Sequence, residues 1–365
     1  MSKIIELTNF LEQLAPLSSQ EDYDNSGLIV GNPETEITNV LVSLDCTEAV
    51  VEEAVRKNCN LIVSHHPIVF RALKKFNGKN YVERTIMSAI RNNIALYATH
   101  TCLDNSLQGV SAEIAARLSL SNTRILQPKE NVLTKLVVFV PTSHAQQLKE
   151  ALWKAGTGHI GNYDEASFST AGTGTYRPLE GSQPFEGNLE KRSQVAEERV
   201  EFLVSNHLLS QVLKRMWEVH PYEEVAYDLI PLSNSNTTEG AGMIGELKAP
   251  MDEHEFLSFV KKTFECEGIR HTELLGKPVQ KIAFCGGSGF FLLSDALRQK
   301  ADVYLTADVK YHEFFDAEKR LLLVDIGHYE SEHFTIDLII RKLKEIFTTF
   351  AVLKTEVNTN PIKYF

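Results

Sequence analysis

Residues 38–67 read TNVLVSLDCTEAVVEEAVRKNCNLIVSHHP, and this stretch decides the fold class. Its two ends, TNVLVSLD (38–45) and NLIVSHHP (60–67), are short apolar runs typical of buried strands. The segment between them begins at Thr47, a residue type that caps helices, and continues with apolar residues at helical spacing. A strand, a helix and a second strand in this order predict a βαβ unit.

The same alternation continues on both sides of a central interruption. Downstream of Pro67, a helix, a strand and another helix are predicted in VERTIMSAIRNN, IALYATHTCLDN and SAEIAARLSL. After residue 243 the alternation returns, and the chain closes on one long amphipathic helix, ESEHFTIDLIIRKLKEIF. We therefore predict a layered α/β domain with a mostly parallel sheet, formed by residues 1–130 and 236–365.

The middle of the chain follows a different order. TKLVVFVP (134–141) and ERVEFLVS (198–205) read as strands, each followed by a helix, and EEVAYDLIPL reads as a further strand. The order strand, helix, strand, strand, helix, strand is that of the ferredoxin-like split βαβ unit. We predict a separate inserted α+β domain at residues 131–235, followed by a polar linker.

Composition excludes several classes of protein. The 365 residues carry a net charge of −11, which argues against a general nucleic-acid surface. The five cysteines show no CxxC spacing, so a disulfide framework or a zinc knuckle is not expected, and a reducing cytoplasm is the simplest location. No apolar run reaches the roughly 18–20 residues of a membrane helix, so no membrane association is expected.

Polar clusters follow three of the predicted strands directly. In open α/β sheets, ligand sites lie outside the carboxyl ends of the strands, so side chains from these clusters are expected to meet there. The clusters carry His65 and His66, His100 and Asp104, and His328 and Glu332.

The residue types and spacing within these clusters indicate a metal site. Successive side chains of an extended segment point to opposite faces, so His65 and His66 are expected to diverge and to serve separate ions. His328 and Glu332 share one helix face, about 5–6 Å apart at Cβ, if a helix begins near Gly327. Any single histidine could instead be a solvated strand-end residue. Together, three histidines and two carboxylates are too many for one closed tetrahedral site and suit two divalent cations, whether zinc, iron, manganese, cobalt or nickel. The predicted ligands are His65, His66, Asp104, His328 and Glu332.

Other polar residues near these clusters each have a functional and a structural interpretation. His100 is our candidate for proton transfer, or else a wall or loop histidine. Asp308 and His312 could support the ligands or handle substrate, or could simply begin a surface helix. Asp24 and Asn25, in DYDNSGLIVG, could close over the site or form a turn.

FCGGSGF (284–290) is glycine-rich but fits neither GxGxxG nor the P-loop pattern. Its backbone N–H groups could bind a phosphate. The alternative is a plain turn from a strand to a helix.

Five motifs, taken in order, resemble those of the NIF-three-like family, whose members are often named type 2 GTP cyclohydrolase I homologues. They are DYDNSGLIVG, SHHP, THTCLDN, TADVKYH and GHYESE. The resemblance implies a dinuclear metal site on the same five ligand positions, and a toroidal homohexamer built as a trimer of dimers. VHPYEEVAYD (219–228) resembles the CutA/PII-like insert of longer bacterial members.

Two functions from different classes remain open. The first is a metal-dependent hydrolase acting on a nucleotide-like small molecule, as the family name implies, although a phosphoester would suit two-metal chemistry equally well. The second is a non-catalytic metal-binding sensor or scaffold, with the insert as its regulatory module. A DNA-binding role is suggested only by the family name, and the acidic charge argues against it.

Overall fold

The computed structural model describes residues 2–365. Its strands, numbered in chain order, are β1 (Gly27–Val30), β2 (Asn39–Ser43), β3 (Leu61–Ser64), β4 (Ala95–Ala98), β5 (Ser121–Lys129), β6 (Leu133–Pro141), β7 (Ser167–Tyr176), β8 (Ser193–Ser205), β9 (Tyr227–Leu232), β10 (Asn236–Met251), β11 (Arg270–His271), β12 (Val279–Phe284), β13 (Val303–Thr306), β14 (Leu322–Asp325) and β15 (Ala351–Lys354). Its α-helices are α1 (Ile4–Leu14), α2 (Glu48–Arg56), α3 (Tyr81–Arg91), α4 (His100–Asp104), α5 (Val110–Arg117), α6 (Ala145–Lys154), α7 (Leu209–Val219), α8 (Glu253–Thr263), α9 (Leu293–Arg298), α10 (His328–Glu332) and α11 (Thr335–Ile346).

The chain divides into two compact units. One consists of Met1–Pro128 and Thr238–Phe365, and the other is Lys129–Thr237. Within residues 2–365, none of the helices combines the length and the apolar character that crossing a bilayer requires.

The first unit contains two sheets with parallel centres. In one sheet the strand order is β1-β4-β3-β2-β15. The strands β4, β3, β2 and β15 run parallel to one another, and β1 pairs antiparallel with β4 at the edge. In the other, β12, β13 and β14 are parallel, while β10 and β11 pair antiparallel beside them. The predicted α/β fold class is confirmed, with the strands shared between two sheets.

Burial on both faces of the central strands explains their near-continuous apolar sequences. Val40 and Val42 on β2 belong to the main core, which also takes side chains from the second sheet. Leu41, between them, faces the opposite way and packs in a separate cluster that includes Val50 of α2 and Ile86 of α3. Helices therefore cover the side of this sheet that the main core leaves free.

The helix boundaries agree with the sequence at α2 and differ from it at the end of the chain. Thr47 caps α2, because its hydroxyl oxygen accepts the backbone N–H of Val50 at 3.4 Å. The single long helix predicted from ESEHFTIDLIIRKLKEIF is wrong, since α10 ends at Glu332 and α11 begins at Thr335. At this break the N–H of Ile336 bonds to the carbonyl of His333, three residues back, so the α-helical ladder is interrupted.

The second unit is built on one antiparallel sheet with the strand order β7-β8-β6-β9. Its two helices, α6 and α7, share a core with the sheet, and Leu136, Leu148, Phe202 and Met216 are fully or almost fully buried there. A relationship of this unit to CutA/PII-like domains stays a prediction.

Candidate metal centre

Three strand ends of the first unit deliver polar side chains to one place. His65 and His66 directly follow β3, the short helix α4 follows β4, and α10 begins three residues after β14. At the start of α10, Gly327 has φ +92°, a left-handed conformation that favours glycine, and it turns the chain from the strand into the helix. His328 is the first residue of that helix and Glu332 the last, so the predicted i, i+4 pair is present.

The carboxylate of Glu332 lies at the centre of the cluster. Its Oε2 is 2.9 Å from Nε2 of His66, 3.0 Å from Nε2 of His328 and 3.9 Å from Nε2 of His65. The Nε2 atoms of His66 and His328 are 3.3 Å apart, and Nε2 of His65 is 3.5 Å from Oδ1 of Asp104. His65, His66 and Glu332 form a group whose ligand atoms all lie within 4.8 Å of one another and could hold a metal ion.

The expectation that His65 and His66 diverge is wrong. Their ring centroids are 4.9 Å apart, and both Nε2 atoms approach Glu332. The reason is local: β3 ends at Ser64, so the two histidines lie in a bend where the alternation of an extended strand no longer applies. The argument for two ions therefore depends on how many ligand side chains come together, and not on two imidazoles that point in opposite directions.

The polar atoms of the cluster are arranged better for binding a divalent cation than for hydrogen bonding to one another. Nε2 of His65 and Oδ1 of Asp104 are buried without a hydrogen-bond partner in the described part of the chain, which is costly unless a ligand satisfies them. The facing Nε2 atoms of His66 and His328 cannot both donate to each other. Spacings of 2.9–3.5 Å are close to the roughly 3.3–3.4 Å that separates tetrahedral ligands with bonds of about 2.0–2.1 Å.

Two aspartates orient the histidines from behind. Nδ1 of His66 is 2.8 Å from Oδ1 of Asp45, and Nδ1 of His328 is 2.7 Å from Oδ2 of Asp308. A carboxylate that accepts the Nδ1 proton fixes the tautomer and leaves Nε2 free to bind a metal. Asp308 thus contacts a predicted ligand, and the predicted alternative in which it supports the ligands stays a prediction. Asp45 was missed, although it follows β2 as the histidines follow β3, and the same strand-end argument could have found it.

The electrostatics of the cluster depend on the central carboxylate. Burial opposes charge on His66, but hydrogen bonds to Asp45 and Glu332 raise its pKa to about 9. Burial also opposes charge on His328, but Glu332 and Asp308 raise its pKa to about 11. His65 is completely buried, which lowers its pKa to about 3 and keeps the imidazole neutral, as a metal ligand requires.

The two carboxyl groups have opposite shifts. Although burial opposes ionisation of Glu332, the charge of His328 and hydrogen bonds from both histidines hold the pKa of this carboxyl well below its usual range. Burial raises the pKa of Asp104 far above its usual range, and the negative charge of Glu332 raises it further. A cation placed between these carboxylates would relieve their repulsion.

His100 and Asp24 form a hydrogen-bonded pair beside the cluster. Nδ1 of His100 is 2.5 Å from Oδ1 of Asp24, and the His100 ring centroid is 5.6 Å from that of His66. The other Asp24 oxygen accepts the backbone N–H and the hydroxyl of Thr101 and the hydroxyl of Ser26. Asp24 is therefore fixed in place and can orient His100.

Asn25 and His312 do not reach the cluster. The amide of Asn25 donates to the carbonyl of Val69 at 2.8 Å, which connects the N-terminal loop to the segment after β3. His312 is exposed on a 3₁₀ turn, where its ring contacts Tyr311 and Phe315.

The cluster lies in a cavity of about 660 Å³. Four of the five ligand candidates line it together with His100, and aromatic side chains contribute to its wall. In the glycine-rich loop, the N–H of Gly287 donates to Oγ of Ser331 and that of Gly289 to Oγ1 of Thr306, while Gly286 and Ser288 line the cavity. Two of the loop's N–H groups are thus used internally, and its role in phosphate binding stays a prediction.

We expect Asp45→Ala to weaken metal binding without removing any ligand. Loss of the Nδ1 partner frees the His66 ring, and such changes cost about 10- to 100-fold in metal affinity. Titration of metal-stripped protein with zinc measures the effect. His312→Ala is the matched control, because His312 is exposed and makes no contact with the cluster. The zinc affinity of this variant should equal that of the parent. Unchanged affinity in Asp45→Ala would contradict the orienting role.

Comparison with known proteins identifies the family. Residues 2–361 match the family model described as Duf34/NIF3 (NGG1p interacting factor 3). A Bacillus subtilis relative named GTP cyclohydrolase 1 type 2 homolog is 36% identical over 98% of both chains. A relative of the same name from Halalkalibacterium halodurans is 41% identical over 87% of this chain and 86% of its own length. The crystal structure of a Bacillus cereus protein related to NIF3 aligns with 35% identity and a TM-score of 0.87, and the match covers 100% of this chain and 99% of that chain. The sequence motifs and the fold thus agree, and the chain belongs to the Duf34/NIF3 family.

Proposed function

We propose that this protein is a metal-dependent hydrolase that acts on a nucleotide-like substrate. His65, His66, Asp104, His328 and Glu332 would hold two divalent cations. The observation that carries the proposal is that three imidazoles approach Oε2 of Glu332 and that Asp104 lies 3.5 Å from one of them, His65, while two of the buried polar atoms have no hydrogen-bond partner. The names of the Bacillus relatives suggest the substrate class.

The chemistry follows from the donor set. Divalent cations bound there would supply Lewis acidity, which polarises a carbonyl or phosphoryl oxygen and lowers the pKa of water from about 15.7 toward 7. The protein contributes fixed ligands, since Asp45 and Asp308 hold the rings of His66 and His328. It also contributes a cavity of about 660 Å³ in which a small substrate could bind beside the ligands. Zinc, iron, manganese, cobalt and nickel all suit such a mixture of imidazole and carboxylate.

His100 is the proposed proton-transfer group. Its Nδ1 is held by Asp24, which leaves Nε2 for proton transfer, and the residue lines the cavity. A group held in this way can take a proton from one reacting atom and return it to another without reorienting. Asp24 would act through His100 as a positioning residue.

The test is hydrolysis of a nucleotide panel by protein purified without a histidine tag, with metal content verified by elemental analysis. We expect turnover by the parent and none by His65→Ala. His100→Ala should retain its metal but lose about 10²- to 10⁴-fold in kcat, because only proton transfer is removed. Equal turnover by His65→Ala and the parent would end the hydrolase proposal, and full activity in His100→Ala would remove His100 from it.

The alternative is a metal-loaded sensor or scaffold. It is favoured by the second unit, which has its own core and could serve as a CutA/PII-like regulatory module. Ligand binding by the metal-loaded full chain without turnover of any compound would support it. A homohexamer, built as a trimer of dimers, is part of both proposals, and the molecular mass in solution tests it.

A further inference from the structure

One surface segment of this acidic protein carries a concentrated positive charge. Residues 70–81 read FRALKKFNGKNY and contain four basic side chains and no acidic one, against a net charge of −11 for the whole chain. We call residues 71–80 the basic loop. Its charges are Arg71, Lys74, Lys75 and Lys79, and all four residues are exposed. No described carboxylate lies within salt-bridge distance of any of them.

The basic loop connects two residues of the metal cavity. Phe70 directly precedes the loop and Tyr81 directly follows it, and both line that cavity. Each of these residues is more than half exposed, at 51% for Phe70 and 59% for Tyr81. The Phe70 ring also meets His100 edge to face, with centroids 5.3 Å apart. Ring faces at a cavity mouth are suited to stacking against a planar heterocycle.

Hydrogen bonds hold the loop in this position. The carboxylate of Glu83 accepts the backbone N–H groups of Asn77 and Lys79 and the side-chain amide of Asn80. At the other end, Asn25 donates to the carbonyl of Val69. The loop is therefore fixed at both ends. Binding a ligand would cost this loop less conformational entropy than it would cost a disordered lysine-rich segment.

The cavity and the basic loop are complementary in charge. The described lining residues include Glu21, Asp45, Asp104 and Glu332 but no Lys or Arg. A phosphate chain that extends beyond the metal cluster would therefore meet no lysine or arginine side chain inside the cavity. The basic loop supplies those charges immediately outside, where lysine acts as a point charge and arginine can bind phosphate through two hydrogen bonds.

We infer that the basic loop is a phosphate-binding site, and that it holds the phosphate chain of a nucleoside polyphosphate whose base stacks on Phe70 or Tyr81. This deepens the proposed function, since it uses the same cavity and assigns the recognition of substrate phosphate to Arg71, Lys74, Lys75 and Lys79. A small ligand is favoured over a nucleic acid strand because the aromatic side chains line a cavity of about 660 Å³ and the rest of the chain is acidic.

The test replaces the four basic residues by glutamine and measures the affinity for GTP, guanosine and inorganic tripolyphosphate by calorimetry. The matched control carries Lys261→Gln, Lys262→Gln, Lys277→Gln and Lys344→Gln, which remove the same charge from exposed positions of the same unit. We expect the loop variant to lose about tenfold or more in affinity for GTP and tripolyphosphate, because charge-assisted hydrogen bonds are lost. Guanosine affinity should not change, and the control should match the parent throughout.

A second variant, Glu83→Gln, keeps every positive charge but loosens the loop, and it should weaken GTP binding less than the charge removal does. All measurements are made with metal-loaded and with chelator-treated protein, so that phosphate bound by the metal is separated from phosphate bound by the loop. Equal loss in the loop variant and the control overturns the inference, as does absence of GTP and tripolyphosphate binding by the parent. Salt-sensitive retention of a single-stranded oligonucleotide without GTP binding also overturns it. If the loop variant loses affinity while the parent turns over no nucleotide, the hydrolase proposal fails and the phosphate site stands.

Discussion

Glu332→Gln is expected to empty the metal site and to destabilise the metal-free protein. Oε2 of Glu332 lies within 4 Å of three imidazole Nε2 atoms, so no other side chain is shared by as much of the cluster. Its loss leaves His66 and His328 facing each other, with Nε2 atoms 3.3 Å apart, without the buried carboxylate that pairs with both. Removing one partner of a buried ion pair costs about 3–5 kcal/mol of unfolding free energy.

Elemental analysis and urea unfolding of chelator-treated protein measure the two effects of Glu332→Gln. The matched control is Glu330→Gln on the same helix, since the carboxylate of Glu330 bonds to Asn360 and not to the histidines. Glu330→Gln should retain the parent's metal content. If Glu332→Gln kept as much metal as the parent, Glu332 would not be a ligand and the proposed ligand set would be wrong.

Asp104→Asn is expected to have opposite effects on the metal-free and the metal-loaded protein. In the metal-free state the Asp104 carboxyl is placed near Glu332, and its Oδ1 is buried without a partner. A neutral isostere removes the negative charge that burial and Glu332 oppose, so the unfolding free energy should rise by about 1–3 kcal/mol. With metal present, the variant has lost a charged ligand and should gain less stability from binding.

Thermal unfolding with and without added zinc tests this crossover. For the parent, metal at 100 times its Kd adds about 2.7 kcal/mol per site. We expect the chelator-treated variant to unfold at a higher temperature than the chelator-treated parent. The zinc-treated variant should unfold at a lower temperature than the zinc-treated parent. Asp316→Asn, an exposed aspartate, should follow the parent in both conditions. A variant less stable than the parent in both conditions would show that Asp104 has a structural role and would remove it from the ligand set. The opposite signs expected for Glu332→Gln and Asp104→Asn in metal-free protein separate a carboxylate that is paired from one that is not.

Local sequence patterns determined the elements and the positions of the polar clusters. The stretch 38–67 predicted a βαβ unit because its apolar residues change from strand to helical spacing and back, and the structure has β2, α2 and β3 there. The same local reasoning placed His328 and Glu332 on one helix face, since a helix repeats every 3.6 residues whatever surrounds it.

Only the tertiary structure decided how those clusters meet. His65 and His66 converge because β3 ends one residue before them, and the end of a strand depends on its neighbours in the sheet and not on its own sequence. Contacts between distant parts of the chain decide the division of the strands between two sheets, the position of Asp45 behind His66 and the position of the basic loop beside the cavity. Periodicity describes which way a side chain faces within its own element, whereas the distance between two elements is set by the packing of the whole core.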